Sequence, residues 1–328
     1  MELRFSAADR QRLSAFCETM RQNARITYLY SQYLNNSPTL LTKEFVESFA
    51  RDCELSHEDA FLALFAVAIG LECDVSAEDR RLDRIYLQQG VRKCAPQTYL
   101  NNPYVQAIRF PSESHGAWSF TLGQYRPYEP FPCGHPIQKP DGREIPRIGF
   151  FTEPFSFPAV LENGQEWMTL KPNEIETMKE PLSQCFGKAI TFGLGLGYFA
   201  FCASEKPSVT SLTVVERDAT LIDLFRTHLL PQFPHREKIR IVEADAFAYM
   251  EKQMPREGFD FAFLDLWHDA SDGLELYLRA KKLEVLSSKT EFTYWIEPSL
   301  RSYLRNLLFE RALPENYACF DDYLKALE

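Results

Sequence analysis

Apolar positions in the first hundred residues recur at helical spacing. Leu13, Phe16, Cys17, Met20 and Ala24 recur at three- and four-residue steps on one face, behind Ser6-Ala-Ala-Asp9, which has the form of a capping box. Ser56-His-Glu-Asp59 caps a second helix whose body, Ala60 to Leu71, is apolar on every side and is therefore predicted to be buried. Ser76-Ala-Glu-Asp79 caps a third, striped by Leu82, Ile85 and Tyr86 and stopped near Gly90. The pattern predicts an all-helical domain over residues 1–108.

Prolines then crowd the chain from Pro103 to Pro158, at a density that no continuous helix tolerates. Residues 109–178 read as a Pro-rich linker or extended wrap that carries a short β-hairpin. Its strands are expected at Arg147 to Phe151 and Ala159 to Leu170, with Asn163-Gly164 as a hairpin turn between Leu161 and Trp167. Pro172-Asn-Glu-Ile-Glu-Thr-Met178 begins a helix.

From Lys188 the periodicity becomes that of alternating strands and helices. Short apolar runs at Ala189–Phe192, Ser211–Val215, Ile239–Val242, Phe259–Leu264 and Glu291–Ile296 are separated by helical stretches such as Ala219–Leu230. That alternation predicts an α/β domain over residues 179–328, with a parallel, doubly wound, Rossmann-like sheet.

Composition narrows the partners. At 328 residues the chain is long enough for two domains, and 45% hydrophobic with 25% charged residues is the balance of an ordinary globular protein. The longest apolar run, Ala60 to Leu71, is too short for a membrane span. Met-Glu-Leu-Arg-Phe-Ser at the N-terminus has no secretory pattern, so a cytoplasmic location is expected. Eight cysteines without a Cys-x-x-Cys pair argue against a zinc ribbon or a disulfide framework. A net charge of −10 disfavours nucleic acid as a partner.

The sharpest chemical signal is Ile190-Thr-Phe-Gly193-Leu194-Gly195-Leu-Gly197-Tyr-Phe, an apolar strand running into Gly-x-Gly-x-Gly and then a helix. Glycines there permit a tight turn and let a ligand lie against bare backbone. Glu216 ends the next strand, 23 residues after Gly193, where an open α/β sheet places a carboxylate that can accept both hydroxyls of a ribose. Asp245 follows the third strand and Asp265 ends the fourth. A nicotinamide site prefers Gly-x-Gly-x-x-Gly, whose third position here is Tyr198. Asp265-Leu-Trp-His268-Asp269-Ala-Ser-Asp272 gathers three carboxylates and a histidine at a strand end, a set able to orient a nucleophile and accept its proton. Asp265, His268 and Asp269 are the catalytic candidates, although Ser271 or Asp272 also suits a helix N-cap and Trp267 suits a core position. No metal site is expected, because no second acidic pair stands at a recognisable spacing.

Over residues 185–311 these motifs resemble the class I S-adenosylmethionine-dependent methyltransferase superfamily. The resemblance implies that Gly193, Leu194, Gly195 and Gly197 meet the methionine part of the cofactor, that Glu216 holds its ribose, and that Asp245 with Ala246 addresses the adenine. Where many members carry an acid two residues before the first glycine, this chain has Thr191. The hairpin, the short acidic helix containing Glu174 and Glu176, and the glycine loop also resemble, in that order, the arrangement in spermidine synthases. The catalytic segment of those enzymes is Asp-x-x-Asp followed by proline; here the second acid comes one residue late and the proline is absent.

The leading expectation is methyl transfer from S-adenosylmethionine to a small or peptide-borne acceptor. Aminopropyl transfer from decarboxylated S-adenosylmethionine is the alternative, and a non-catalytic protein that kept the fold is a third reading. The helical domain is expected to act as a lid or as a contact in a homo-oligomer, and to supply no primary cofactor ligand.

Overall fold

The computed structural model describes residues 6–111, 114–116 and 118–312; Met1 to Phe5 and Cys319 lie outside them. The chain folds as two compact units, neither of which is a continuous stretch. The first unit takes the residues up to Cys94, Arg126–Pro154 and those from Arg301; the second takes Ala95–Tyr125 and Phe155–Leu300. This division differs from the one expected at residues 108 and 178. Prolines exclude a helix, but they are compatible with strand ends and edges, and the Pro-rich region is used as strands by both units.

In the first unit the anticipated caps are present. The Ser6 side chain accepts from Asp9 N–H to open Ala7–Asn36, Ser56 caps His57–Ala68, and Ser76 caps Ala77–Leu82. A further helix, Lys43–Asp52, is capped by Thr42. The unit is not all-helical: Val91–Lys93 pairs in parallel with Ile148–Phe150, which pairs antiparallel with Phe131–Pro132. The strand expected at Arg147 to Phe151 therefore belongs here and not to the hairpin. Its core is aromatic, with Phe61 stacked on Phe65 at 5.5 Å and on Phe150 at 4.0 Å between centroids. Burying such a ring contributes roughly 1.5–3 kcal/mol. The buried Asn23 accepts from Tyr86 Oη at 2.9 Å and from Glu144 N–H at 3.0 Å and donates to Gly142 O at 3.0 Å, so its amide is satisfied on both sides.

The second unit is built on five parallel strands: β1 (Gly187–Phe192), β2 (Val209–Glu216), β3 (Ile239–Glu243), β4 (Phe261–Leu264) and β5 (Glu291–Tyr294), in spatial order 3-2-1-4-5. Every strand expected from the sequence is present. The central strands β1 and β4 are buried along Ala189–Phe192 and Phe261–Leu264. Chain order reverses between β1 and β4, and at such a switch point the carboxyl ends of the strands part and leave a crevice. The helical stretch after β2 runs from Ala219 to Leu224 and continues as a π turn, Phe225–Leu229.

An antiparallel sheet, Ser114–His115, Trp118–Tyr125, Phe155–Glu162 and Gln165–Thr169, completes this unit. The hairpin turn falls on Asn163-Gly164, both at positive φ (51° and 80°), as a two-residue turn requires. Trp118–Tyr125, where the sequence suggests linker, is one of its two internal strands of 8 residues, in register with the other, Phe155–Glu162, along its whole length. Residues from Ala95 onward are also tied to this unit: the Gln232 side chain accepts from Arg109 N–H and donates to Arg109 O, each at 2.8 Å. Among the described residues no helix is long and apolar enough to cross a membrane.

Candidate functional site

A cavity of about 840 Å³ opens at the carboxyl end of the parallel sheet, and all of its walls come from the second unit. Gly193 leaves β1 at φ +98°, and a β-carbon built there would lie 2.1 Å from the Asp265 carbonyl oxygen. Only glycine lets the loop after β1 pass so close to the end of β4. This contact places Asp265 beside the glycine loop.

Gly193, Leu194 and Gly195 line the cavity. Gly197 does not: it opens the helix Tyr198–Ser204 at φ +76°, where a β-carbon would lie 2.3 Å from the Phe225 ring. Its placement is explained by packing. Glu216 ends β2 and is held by three backbone donors: Leu194 N–H at 3.1 Å on Oε2, and Arg217 N–H at 2.7 Å and Asp218 N–H at 2.9 Å on Oε1. The carboxylate is thus fixed against the glycine loop, with Oε2 lone-pair capacity left for a further donor. Asp245 and Ala246 also line the cavity. Asp245 is exposed, and its Oδ1 caps Ala246–Lys252 by accepting from Ala248 N–H at 2.9 Å.

Asp265 is half-buried in the cavity wall, and burial pushes its carboxyl up to about 7. Glu174, in the first turn of the helix Pro172–Gln184, shares the cavity; burial, and then the nearby Asp265, push it up to about 8 against the opposing pull of Lys171. The two elements carrying these acids are stitched together. Trp267 Nε1 donates to Trp295 O at 3.3 Å, Trp295 Nε1 donates to Thr177 Oγ1 at 2.9 Å, and Thr177 Oγ1 donates to Asn173 O at 2.8 Å. Trp267 is accordingly both buried core and cavity wall.

His268 reaches the cavity, with its ring edge-on to Trp167 at 4.8 Å and Nδ1 3.1 Å from Asp272 Oδ2. Burial opposes ionisation of Asp272, but the N–H groups of Asp269 and His268 and the His268 ring together hold its carboxyl below the usual range. Asp269 is turned to a different task. It is exposed, lies outside the cavity wall, and caps Ala270–Leu283 by accepting from Ser271 N–H at 2.6 Å and Asp272 N–H at 3.3 Å, with Asp272 closing the capping box. The cap expected at Ser271 or Asp272 is thus Asp269 itself.

Three features of this site escaped the sequence reading. Glu174 was visible only as part of an acidic helix, because nothing local shows that it will face Asp265. Trp118 and Trp167, 5.9 Å apart and nearly perpendicular, form an aromatic corner contributed by two strands of the antiparallel sheet. Glu162 and Glu166 stand on the same hairpin at the cavity. The Asn163-Gly164 turn was the one local signal that could have led to them.

No protein-family model matches the chain, and no curated protein does. Among solved structures, a spermidine synthase from Thermotoga maritima aligns at 18% identity and a TM-score of 0.33, covering 46% of this chain and 56% of that one. A spermidine synthase in complex with the transition state analogue AdoDATO aligns at 18% identity and a TM-score of 0.33, covering 46% of this chain and 55% of that one. The chain thus spans little more than half the length of either.

Proposed function

We propose that the protein is an S-adenosylmethionine-dependent transferase that moves a methyl group onto a basic nitrogen of a small or peptide-borne acceptor. The observation that carries this reading is the juxtaposition of the glycine loop, braced by Glu216, with Asp265 across the switch point. The bare backbone at Gly193 and Gly195 and the fixed Glu216 carboxylate suit a nucleoside, with Asp245 and Ala246 at its base end. The donor's sulfonium supplies an already activated carbon, so the protein's share is alignment and proton handling. Asp265, with its carboxyl close to neutrality, is suited to take the proton that an acceptor ammonium must lose before its nitrogen can attack. Trp167 and Glu162 provide the aromatic and acidic surroundings that favour a cationic acceptor.

Aminopropyl transfer is a second reading with its own support. Among the described residues of the cavity wall, Lys171 is paired with Glu166 and Arg217 is the other cation, while Glu174, Asp265 and Asp272 outnumber the two. Such a balance suits a donor that has lost its carboxyl group.

Calorimetry with S-adenosylmethionine, its decarboxylated form and methylthioadenosine tests these readings. Binding of S-adenosylmethionine, with radiolabelled methyl transfer to an amine library, is the expected result. Preference for the decarboxylated donor selects aminopropyl transfer, nucleoside binding without any turnover selects the non-catalytic reading, and failure to bind all three ends the proposal. Glu216→Ala is expected to weaken nucleoside binding by roughly 1.5–3 kcal/mol, since it removes a charged acceptor. Unchanged affinity in a folded variant would remove Glu216 from the nucleoside site.

A further inference from the structure

The glycine loop is held from a segment that the sequence placed outside the α/β domain. Residues 95–108 belong to the second unit, and within them Asn102 caps the short helix Pro103–Ala107 by accepting from Tyr104 N–H at 3.0 Å. The Asn102 amide also donates to Tyr198 Oη at 2.9 Å. Tyr104 is fully buried, edge-on to Tyr198 at 5.4 Å and to Phe201 at 5.3 Å, and its hydroxyl donates to Leu196 O.

That last bond has a particular leverage. A peptide group is rigid and planar, so the Leu196 carbonyl and the Gly197 N–H point in opposite directions from one plate. One end of the plate is held by Tyr104. The other end donates to Leu194 O at 2.9 Å and closes the turn that faces the cavity. Rotation of this plate would break both bonds at once and would reshape the backbone of Leu194 to Gly197.

We infer that Tyr104 and Asn102 are positioning residues of the nucleoside site, Tyr104 fixing the Leu196–Gly197 peptide and Asn102 fixing the first residue of the helix that follows. The functional part of this inference rests on the reading of the site given above; the mechanical part does not. Neither residue reaches the cavity wall, so each acts through the loop. A side chain that serves only general stability would affect the whole fold evenly, whereas these should affect one loop.

The test compares Tyr104→Phe with Tyr86→Phe, which removes an equivalent buried hydroxyl bond, to Asn23 in the first unit, far from the loop in sequence. Hydrogen-exchange mass spectrometry of peptides spanning residues 193–201 should show exchange about 10-fold faster in Tyr104→Phe, with β1 and β4 unchanged, and no local change in Tyr86→Phe. Methylthioadenosine affinity, measured by calorimetry, should fall about 10-fold in Tyr104→Phe and stay level in Tyr86→Phe. Asn102→Ala should act in the same direction with a smaller effect. Wild-type exchange in the Tyr104→Phe loop overturns the latch, and faster exchange with unaltered affinity overturns its positioning role. Failure of the wild-type protein to bind methylthioadenosine refutes the nucleoside reading, and the exchange result still decides the latch.

Discussion

Replacing Asp265 with asparagine is expected to lower turnover on the order of 10²-fold while leaving nucleoside affinity nearly intact. The shape of the side chain is kept and its capacity to accept a proton is lost. The activity of the wild-type protein should rise with pH through about 7, as the Asp265 carboxyl ionises, and that limb should vanish in the variant. Stability moves in the opposite sense. A carboxyl near 4 in the unfolded chain and near 7 in the fold binds a proton in the folded state that the unfolded state has released, so the contribution of Asp265 to stability falls as pH rises across that interval and then levels off, while Glu174 continues the fall toward about 8. Asp265→Asn should therefore be more stable than wild type at pH 8, by on the order of 2–4 kcal/mol, and little changed at pH 4. Steady-state kinetics, calorimetry and thermal melts at the two pH values check all three parts. Full activity would remove Asp265 from the reaction, and loss of nucleoside affinity in proportion to activity would make it a donor ligand instead.

Gly193→Ala is expected to be the most damaging small substitution in the second unit. The new methyl group would have to occupy space 2.1 Å from the Asp265 carbonyl oxygen, in a backbone conformation of φ +98° that side chains rarely adopt. Relief requires moving the glycine loop or the end of β4, both of which are anchored by the sheet. The cost should be at least about 3 kcal/mol, equivalent to a fall in melting temperature of roughly 6–12 °C for a unit of this size. Thermal denaturation with hydrogen exchange on β1 and β4 measures it. A melting temperature within about 2 °C of wild type would show that the loop yields easily.

Legibility followed the range of the interactions. The five parallel strands declared themselves because each is a short apolar run, and the positions of the glycine loop, Glu216, Asp245 and Asp265 at strand ends were legible because the α/β alternation fixes which residues stand there. Caps at Ser6, Ser56 and Ser76 were legible because a cap is a four-residue event. Asp269 illustrates the limit: its carboxylate suits both catalysis and capping, and only its turn toward Ser271 and Asp272 separates them. Tyr104 and Glu174 were hidden for a different reason. Their partners, Leu196 and Asp265, lie 92 and 91 residues away, and no local pattern encodes that distance. The boundaries at 108 and 178 went astray because proline density records what the chain avoids, not which sheet it joins.

The interleaving of the two units sets an order for their completion during synthesis. Phe61 and Phe65 emerge early, but Phe150 is made only after the chain has laid down Trp118–Tyr125 for the other unit. The residues from Arg301 come later still, among them Arg305, which pairs with Glu144 at 2.5 Å, and Ser302, which bonds the same carboxylate. At about 5–20 residues per second, roughly 10–40 s separate the ribosome's passage of Cys94 from its arrival at Arg301. Throughout that interval the half that is made first lacks its last partners, while the unit bearing the cavity reaches its final residue, Leu300, before it. The aromatic core is complete once Phe150 is made, so the part of the first unit that waits longest is the Glu144 carboxylate, buried in the fold and joined to Ser302 and Arg305 only when those residues arrive.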